Sequence, residues 1–92
     1  MWVTLNIQSP DGAIDTIQLD ITTPVTLGRG QECNVVFPAP QVSRKHVTLR
    51  ISDGKLTLTD DSANGTWIES RRVHNETAKI RSGSTFRVGP YH

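Results

Sequence analysis

The chain has 92 residues, 35% of them apolar, and a formal charge of +1. That is enough core for one domain and too little for two, and the near-zero charge argues against a general polyanion or membrane-surface binder. The lone Cys33 excludes an internal disulfide framework and a cysteine-based zinc cluster, and no stretch of 18 apolar residues is present to span a membrane. The start, Met1-Trp2-Val3-Thr4-Leu5, lacks the basic residues and long apolar run of a signal peptide. With the single thiol, this gives the expectation of a cytoplasmic location. The small sum hides an asymmetry. Residues 1–28 carry Asp11, Asp15 and Asp20 with no Lys or Arg, whereas all ten basic residues lie in 29–92. A basic site built from the later segments is therefore expected.

The apolar period is two, which predicts strands rather than helices. Val3, Leu5 and Ile7 alternate with polar residues, and Ser9-Pro10-Asp11-Gly12 marks a turn. Ile17, Leu19 and Ile21 follow in the same rhythm, with Ile14 out of phase, which implies a bulge or a strand start near Asp15. Val47, Leu49 and Ile51 are joined to Leu56 and Leu58 by Asp53-Gly54, a strong hairpin signal. The segment Thr66–Ser82 has no Gly or Pro, but its apolar residues fill no helical stripe, so two or three short strands are expected. Ser82-Gly83 reads as another strand-joining turn before Phe86 and Val88. Val, Ile and Thr together number 26, which suits pleated sheet. Short strands at close spacing predict an all-β sandwich or barrel, read as a single domain over 1–92.

Three loop segments carry polar residues that folding alone explains poorly. In Leu27-Gly28-Arg29-Gly30, glycines flank a guanidinium whose planar fork matches phosphate or carboxylate oxygens. Taken alone, an exposed turn arginine is the simpler reading. Gly28-x-Gly30 is no dinucleotide fingerprint, because the strand–helix context is missing. In Pro40-Gln41-Val42-Ser43-Arg44-Lys45-His46, a hydroxyl stands beside two cations with no acid nearby, which makes a competent anion site. A lone His46 is weak evidence for metal or catalysis and reads better as a loop brace. In Asp60-Asp61-Ser62-Ala63-Asn64-Gly65-Thr66-Trp67, Asn-Gly announces a tight turn, and the Asn64 amide can bond a partner's main chain at both ends.

Taken in this order on a β-rich chain, these segments resemble a forkhead-associated (FHA) domain. The likeness runs through Leu27-Gly28-Arg29, Val35-Val36-Phe37-Pro38, Val42–His46 and Asn64-Gly65-Thr66-Trp67, nearly the whole chain. It implies a sandwich of two mainly antiparallel sheets whose loops at one end bind phosphothreonine in a partner protein. By resemblance, Arg29, Ser43 and Arg44 bind the phosphate and Asn64 bonds the peptide main chain. Gly28, His46 and Gly65 shape the loops, Lys45, Arg71 and Arg72 are auxiliary cations, and Trp67 fills a core position. Two departures stand out. Ala63 replaces a hydroxyl that touches phosphate in some members, and Glu69-Ser70 replaces a second Asn-Gly. Arg71 and Arg72 are expected to offset the charge of Glu69.

The resemblance implies a monomeric binding module with no cofactor, no metal, no nucleic-acid or membrane partner and no catalysis. The residues agree: no carboxylate adjoins Ser43 and His46 to complete a nucleophile, and Cys33 reads as a small core or loop residue. An FHA fold that engages its partner without phosphate is the alternative. The family's sandwich usually runs one strand past Tyr91-His92, so the expectation is a fragment of a longer protein, with an exposed sheet edge that invites pairing between chains.

Overall fold

A computed structural model describes residues 1–92. Ten strands appear in chain order: β1 (Trp2–Gln8), β2 (Ile14–Asp20), β3 (Val25–Gly28), β4 (Val35–Val36), β5 (Val47–Ser52), β6 (Lys55–Asp60), β7 (Thr66–Ile68), β8 (Arg71–Val73), β9 (Thr77–Lys79) and β10 (Phe86–Arg87). No helix is present, and so none long and apolar enough to cross a membrane. One layer is a five-stranded sheet, β4-β3-β5-β6-β9. The other comprises the β1-β2 hairpin and the three-stranded sheet β10-β7-β8. All pairings are antiparallel except β3 with β4. This is the expected β-sandwich.

The alternation seen in the sequence sets the faces. Val25, Leu27, Val47, Leu49 and Leu58 of the large sheet are buried, and Val3, Leu5, Ile7, Leu19, Ile68 and Phe86 of the other layer pack against them. Ser52 pairs with Lys55 across the two-residue Asp53-Gly54 turn, so that hairpin forms where expected. β2 starts at Ile14 in unbroken register with β1, Gln8↔Ile14 through Trp2↔Asp20, and there is no bulge. Ile14 therefore points outward and is 65% exposed.

Two expectations are corrected. Ser82-Gly83 does not join paired strands, because β9 and β10 lie in different sheets and the segment crosses between layers. Trp67 is not a core residue but is 37% exposed. Thr66, immediately before it, is drawn inward by a hydrogen bond to buried Asp60, so the period of two turns the indole out.

Between β1 and β10 lies a cavity of about 270 Å³, lined by Leu5, Ile7, Phe37, Phe86, Val88 and Tyr91 among others. Residues 88–92 form a single bridge, Val88↔Tyr91, and His92 exchanges two backbone hydrogen bonds with Gln8. No strand of residues 1–92 lies between β1 and β10.

Candidate functional site

Three loops meet through backbone and side-chain hydrogen bonds. The Gly28–Gly30 segment zips onto Ser43–Arg44: the Arg29 amide donates to the Ser43 carbonyl and the Gly30 amide to the Arg44 carbonyl, both at 2.9 Å. Gly28 permits this approach. A Cβ there would fall 2.9 Å from the His46 amide nitrogen and closer still to the Arg44 carbonyl oxygen. Both neighbours are backbone and cannot swing aside.

The fully buried His46 ties the second loop to the third. Its Nδ1 accepts from the Ser43 amide and its Nε2 meets the Gly65 carbonyl, each at 3.0 Å. An amide donor on one ring nitrogen and a carbonyl on the other assign the proton to Nε2. The imidazole thus acts as a rigid spacer between Ser43 and the Asn64-Gly65 turn. Gly65 holds φ at +89°, a value that L side chains rarely adopt, which orients its carbonyl toward His46.

Beneath the turn lies a polar group that reading the sequence did not single out. Asp60 is completely buried at the end of β6. Its Oδ1 accepts from the amides of Ser62 and Asn75, both at 3.1 Å. Its Oδ2 accepts from the hydroxyls of Ser62 at 2.8 Å and Thr66 at 2.6 Å. The Ser62 hydroxyl in turn accepts from the Gly65 amide at 2.7 Å. Burial alone would raise the Asp60 pKa. The hydrogen bonds from Thr66, Asn75 and Ser62 outweigh burial and hold the carboxyl below its ordinary value. The available signal was Asp60-x-Ser62, an Asx-turn pattern just ahead of Asn-Gly.

On this frame the polar donors are placed as follows. Arg29 is exposed; its Nε donates to the Val42 carbonyl at 3.0 Å, and its two terminal nitrogens bond nothing within the chain. The Ser43 hydroxyl accepts from the Ala63 amide at 3.0 Å, which leaves its own proton to donate. Ala63, which lacks a hydroxyl, therefore still contributes by positioning Ser43. Arg44 is exposed and paired with Glu32 at 3.3 Å, while Lys45 is exposed and unpaired. The Asn64 side chain makes no hydrogen bond within the chain. Its backbone carbonyl accepts from Arg72 Nε at 3.3 Å and from a terminal nitrogen of Arg72 at 3.1 Å.

Arg71 does not join the cluster but pairs with Glu76 at 3.0 Å. Neither Arg71 nor Arg72 offsets Glu69, whose Oε1 instead accepts from the Thr85 amide at 3.0 Å. Glu69 adopts φ +53°, so the turn expected to need Asn-Gly is made here by a glutamate in the left-handed region. Cys33 is buried in the loop with its Sγ 3.0 Å from the Arg44 carbonyl. No three His, Cys, Asp or Glu side chains gather where they would hold a metal ion.

The three tied loops carry an arginine with free terminal nitrogens, a serine hydroxyl with its proton unused and an unbonded asparagine amide, donors suited to an anionic group. The FHA domain model matches residues 25–89, and the chain belongs to this family of phosphothreonine-peptide binding modules. It is 29% identical over 87 residues to the FHA domain-containing protein PS1 of Arabidopsis thaliana, covering 90% of this chain and 5% of that protein. The chain spans 5–14% of the length of the curated relatives it matches. Among solved structures, a domain described in work on phosphothreonine-dependent FHA interactions matches 97% of this chain and 91% of its own, at 29% identity and a TM-score of 0.78. The FHA domain of FhaA, complexed with the intracellular domain of Rv3910, matches 94% of this chain and 92% of its own, at 30% identity and a TM-score of 0.77.

Proposed function

We propose that this chain binds threonine-phosphorylated segments of partner proteins and serves as the recognition domain of whatever longer protein carries it. In this reading Arg29 and Ser43 hold the phosphate, Arg44 and Lys45 add charge beside it, and Asn64 bonds the peptide main chain. The observation that carries the reading is the state of Ser43. Its amide donates to His46 and its oxygen accepts from the Ala63 amide, so its proton is left for a ligand, near an arginine whose terminal nitrogens are free.

A phosphothreonine brings about −1.5 to −2 charges and three acceptor oxygens. Charge-assisted hydrogen bonds contribute roughly 1.5–3 kcal/mol each. Several of them supply the ~8 kcal/mol that micromolar binding needs. The donors are organised before the ligand arrives, which lowers the ordering cost of association.

Calorimetry with matched phosphorylated and unphosphorylated threonine peptides tests the reading. Binding of the phosphorylated form only is the expected result. Equal affinity for the two would replace it with a phosphate-independent interaction domain, the role that the Arg44–Glu32 pair and the missing Ala63 hydroxyl favour.

A further inference from the structure

The outer face of the large sheet bears cations that the phosphate site does not use. Residues of β5, β6 and β9 that alternate with the core positions point away from the core. Their register forms one row, Arg50↔Thr57↔Lys79, and Ser52↔Lys55 begins the next. The ladder runs one step past β9, because the Ile80 amide donates to the Leu56 carbonyl at 3.0 Å. That step brings Arg81 beside Lys55. Like charges directly opposite each other cost stability, yet neither row holds an acid. Arg50, Lys55, Lys79 and Arg81 are all exposed and none takes part in an ion pair. The acids adjoining these strands lie off the rows, Asp53 in the hairpin turn and Glu76 against Arg71.

The same face ends at an open strand, because β9 is an edge of the sheet. On its paired side, the Glu76 carbonyl accepts from the Asp60 amide and the Ile80 amide bonds Leu56. Peptide groups of successive residues in a strand point in opposite directions. Those of Thr77 and Lys79 therefore point to the open side. An extended segment can add there as a further strand, with main-chain hydrogen bonds to Thr77 and Lys79 and every second side chain on the face that holds the cations. The charges then choose the segment. They repel a basic strand and a second copy of β9, whereas Asp or Glu at alternate positions relieves the crowding of Lys55 and Arg81. The rows have no aromatic residue on which a nucleic-acid base would stack.

We propose that the β9 edge and its cationic rows form a second docking surface, separate from the phosphate site, that takes an extended acidic segment of a partner protein as an added β-strand. Lys55, Lys79 and Arg81 recognise its carboxylates. The rows lie toward the Asp53-Gly54 end of the sheet, and Val47↔Asp60 marks the loop end. Both surfaces can therefore be occupied together.

Fluorescence anisotropy with labelled, unphosphorylated peptides of alternating Glu and Thr is the test, so the phosphate site has no part in the readout. The wild-type chain binds the Glu-Thr peptide, and the matching Gln-Thr peptide binds about tenfold more weakly, as expected of a few exposed charge pairs. Lys79→Gln combined with Arg81→Gln lowers affinity for the Glu-Thr peptide about three- to fivefold and leaves the melting temperature unchanged. N-methylation of the peptide at every second residue abolishes binding in one of the two phases and is tolerated in the other, because only one edge of the added strand meets β9. Equal affinity for the Gln-Thr peptide, or binding that survives methylation in both phases, overturns the proposal. Inorganic polyphosphate of the same charge bound as tightly as the peptide also overturns it, and makes the rows a general anion patch. Failure of the Glu-Thr peptide to bind overturns it too, and leaves the cations as guards that keep an open edge from pairing with another chain.

Discussion

The β1-β2 hairpin and the Asp60 corner are both stabilised by hydrogen bonds, but in opposite ways. In the hairpin, seven consecutive residue pairs share the load, no residue of either strand is fully buried, and the polar side chains are all exposed. The Thr16–Asn6 bond and the contact of the N-terminal amine with Asp20 are exposed. Any one of these is worth little and is replaceable. In the Asp60 corner the bonds fall on two residues: Asp60 accepts from Thr66, Asn75 and Ser62, and His46 links Ser43 to Gly65. There is no redundancy, because a donor without its acceptor is left buried and unsatisfied. Alternation is sufficient to make a hairpin, whereas a corner that must hold loops in place for a ligand requires particular residues.

Asp60 gives the largest expected break of that contrast. Asp60→Ala strands the Thr66 hydroxyl and the Ser62 and Asn75 amides, at roughly 1–3 kcal/mol each, for an expected loss of about 3 kcal/mol or more of folding stability, read by urea denaturation. A change such as Thr16→Ala in the hairpin is expected to stay within ~0.5 kcal/mol. The acid limb of stability carries the same signature. The folded Asp60 pKa lies below its ordinary value of 3.8, so its contribution is complete above that value and fades as pH falls through the folded one. The isosteric Asp60→Asn variant should lose stability at neutral pH and show a shallower decline below about pH 4. Parallel pH profiles for the two proteins would remove Asp60 from its central role.

The proposed phosphate donors give the next largest effect. Arg29→Ala removes a guanidinium whose terminal nitrogens have no internal partner, so folding should be almost unchanged while phosphothreonine affinity falls about 100-fold or more, a loss of about 3 kcal/mol that matches two charge-assisted bonds at the weak end of their range. Calorimetry beside a melting curve separates the two. A drop in melting temperature that accounts for the lost binding would make Arg29 a structural residue. Ser43→Ala is expected to affect both readouts, because the hydroxyl also holds the Ala63 amide.

What the sequence made legible follows the same division. Strand positions, the Asp53-Gly54 hairpin and the inward faces were readable because period two and turn chemistry are local properties. The loop segments around Arg29, Ser43 and Asn64 were readable from residue type and order. Trp67 was misread because its direction is fixed by a nonlocal event, the bond from Thr66 to a carboxylate six residues earlier. In a three-residue strand, such a bond outweighs hydrophobicity in setting which face is dry. The partners of Arg71, Arg72 and Glu69 were unreadable for a related reason. Adjacent residues on a strand face opposite sides, so proximity in sequence places their charges apart. The crossing at Ser82-Gly83 depends on which sheet β9 joins, and no local signal carries that.

Glu32 offers a smaller test of how free the site's cations are. It holds Arg44 at 3.3 Å, with both side chains more than 60% exposed, so the pair is screened and weak. Releasing Arg44 by Glu32→Gln should raise phosphopeptide affinity by about two- to fivefold at low salt, with the gain shrinking as ionic strength rises. Unchanged affinity would mean that Arg44 acts only as part of the loop's background charge.

The smallest expected effect comes from Arg71, whose sequence neighbour makes it informative. Arg72 reaches the Asn64 carbonyl with two nitrogens, whereas Arg71 bonds only Glu76, and both partners of that pair are about half exposed or more. Arg72→Ala frees the turn that presents Asn64 and should weaken phosphopeptide binding by about two- to fivefold, the value of a modest neutral-acceptor bond. Arg71→Ala should leave affinity within about twofold and stability within ~0.5 kcal/mol. Both arginines add the same positive charge to the same short strand. A matched loss in the two variants would mean that long-range charge governs recognition, whereas a loss confined to Arg72 assigns the effect to the hydrogen bonds that hold the Asn64 turn.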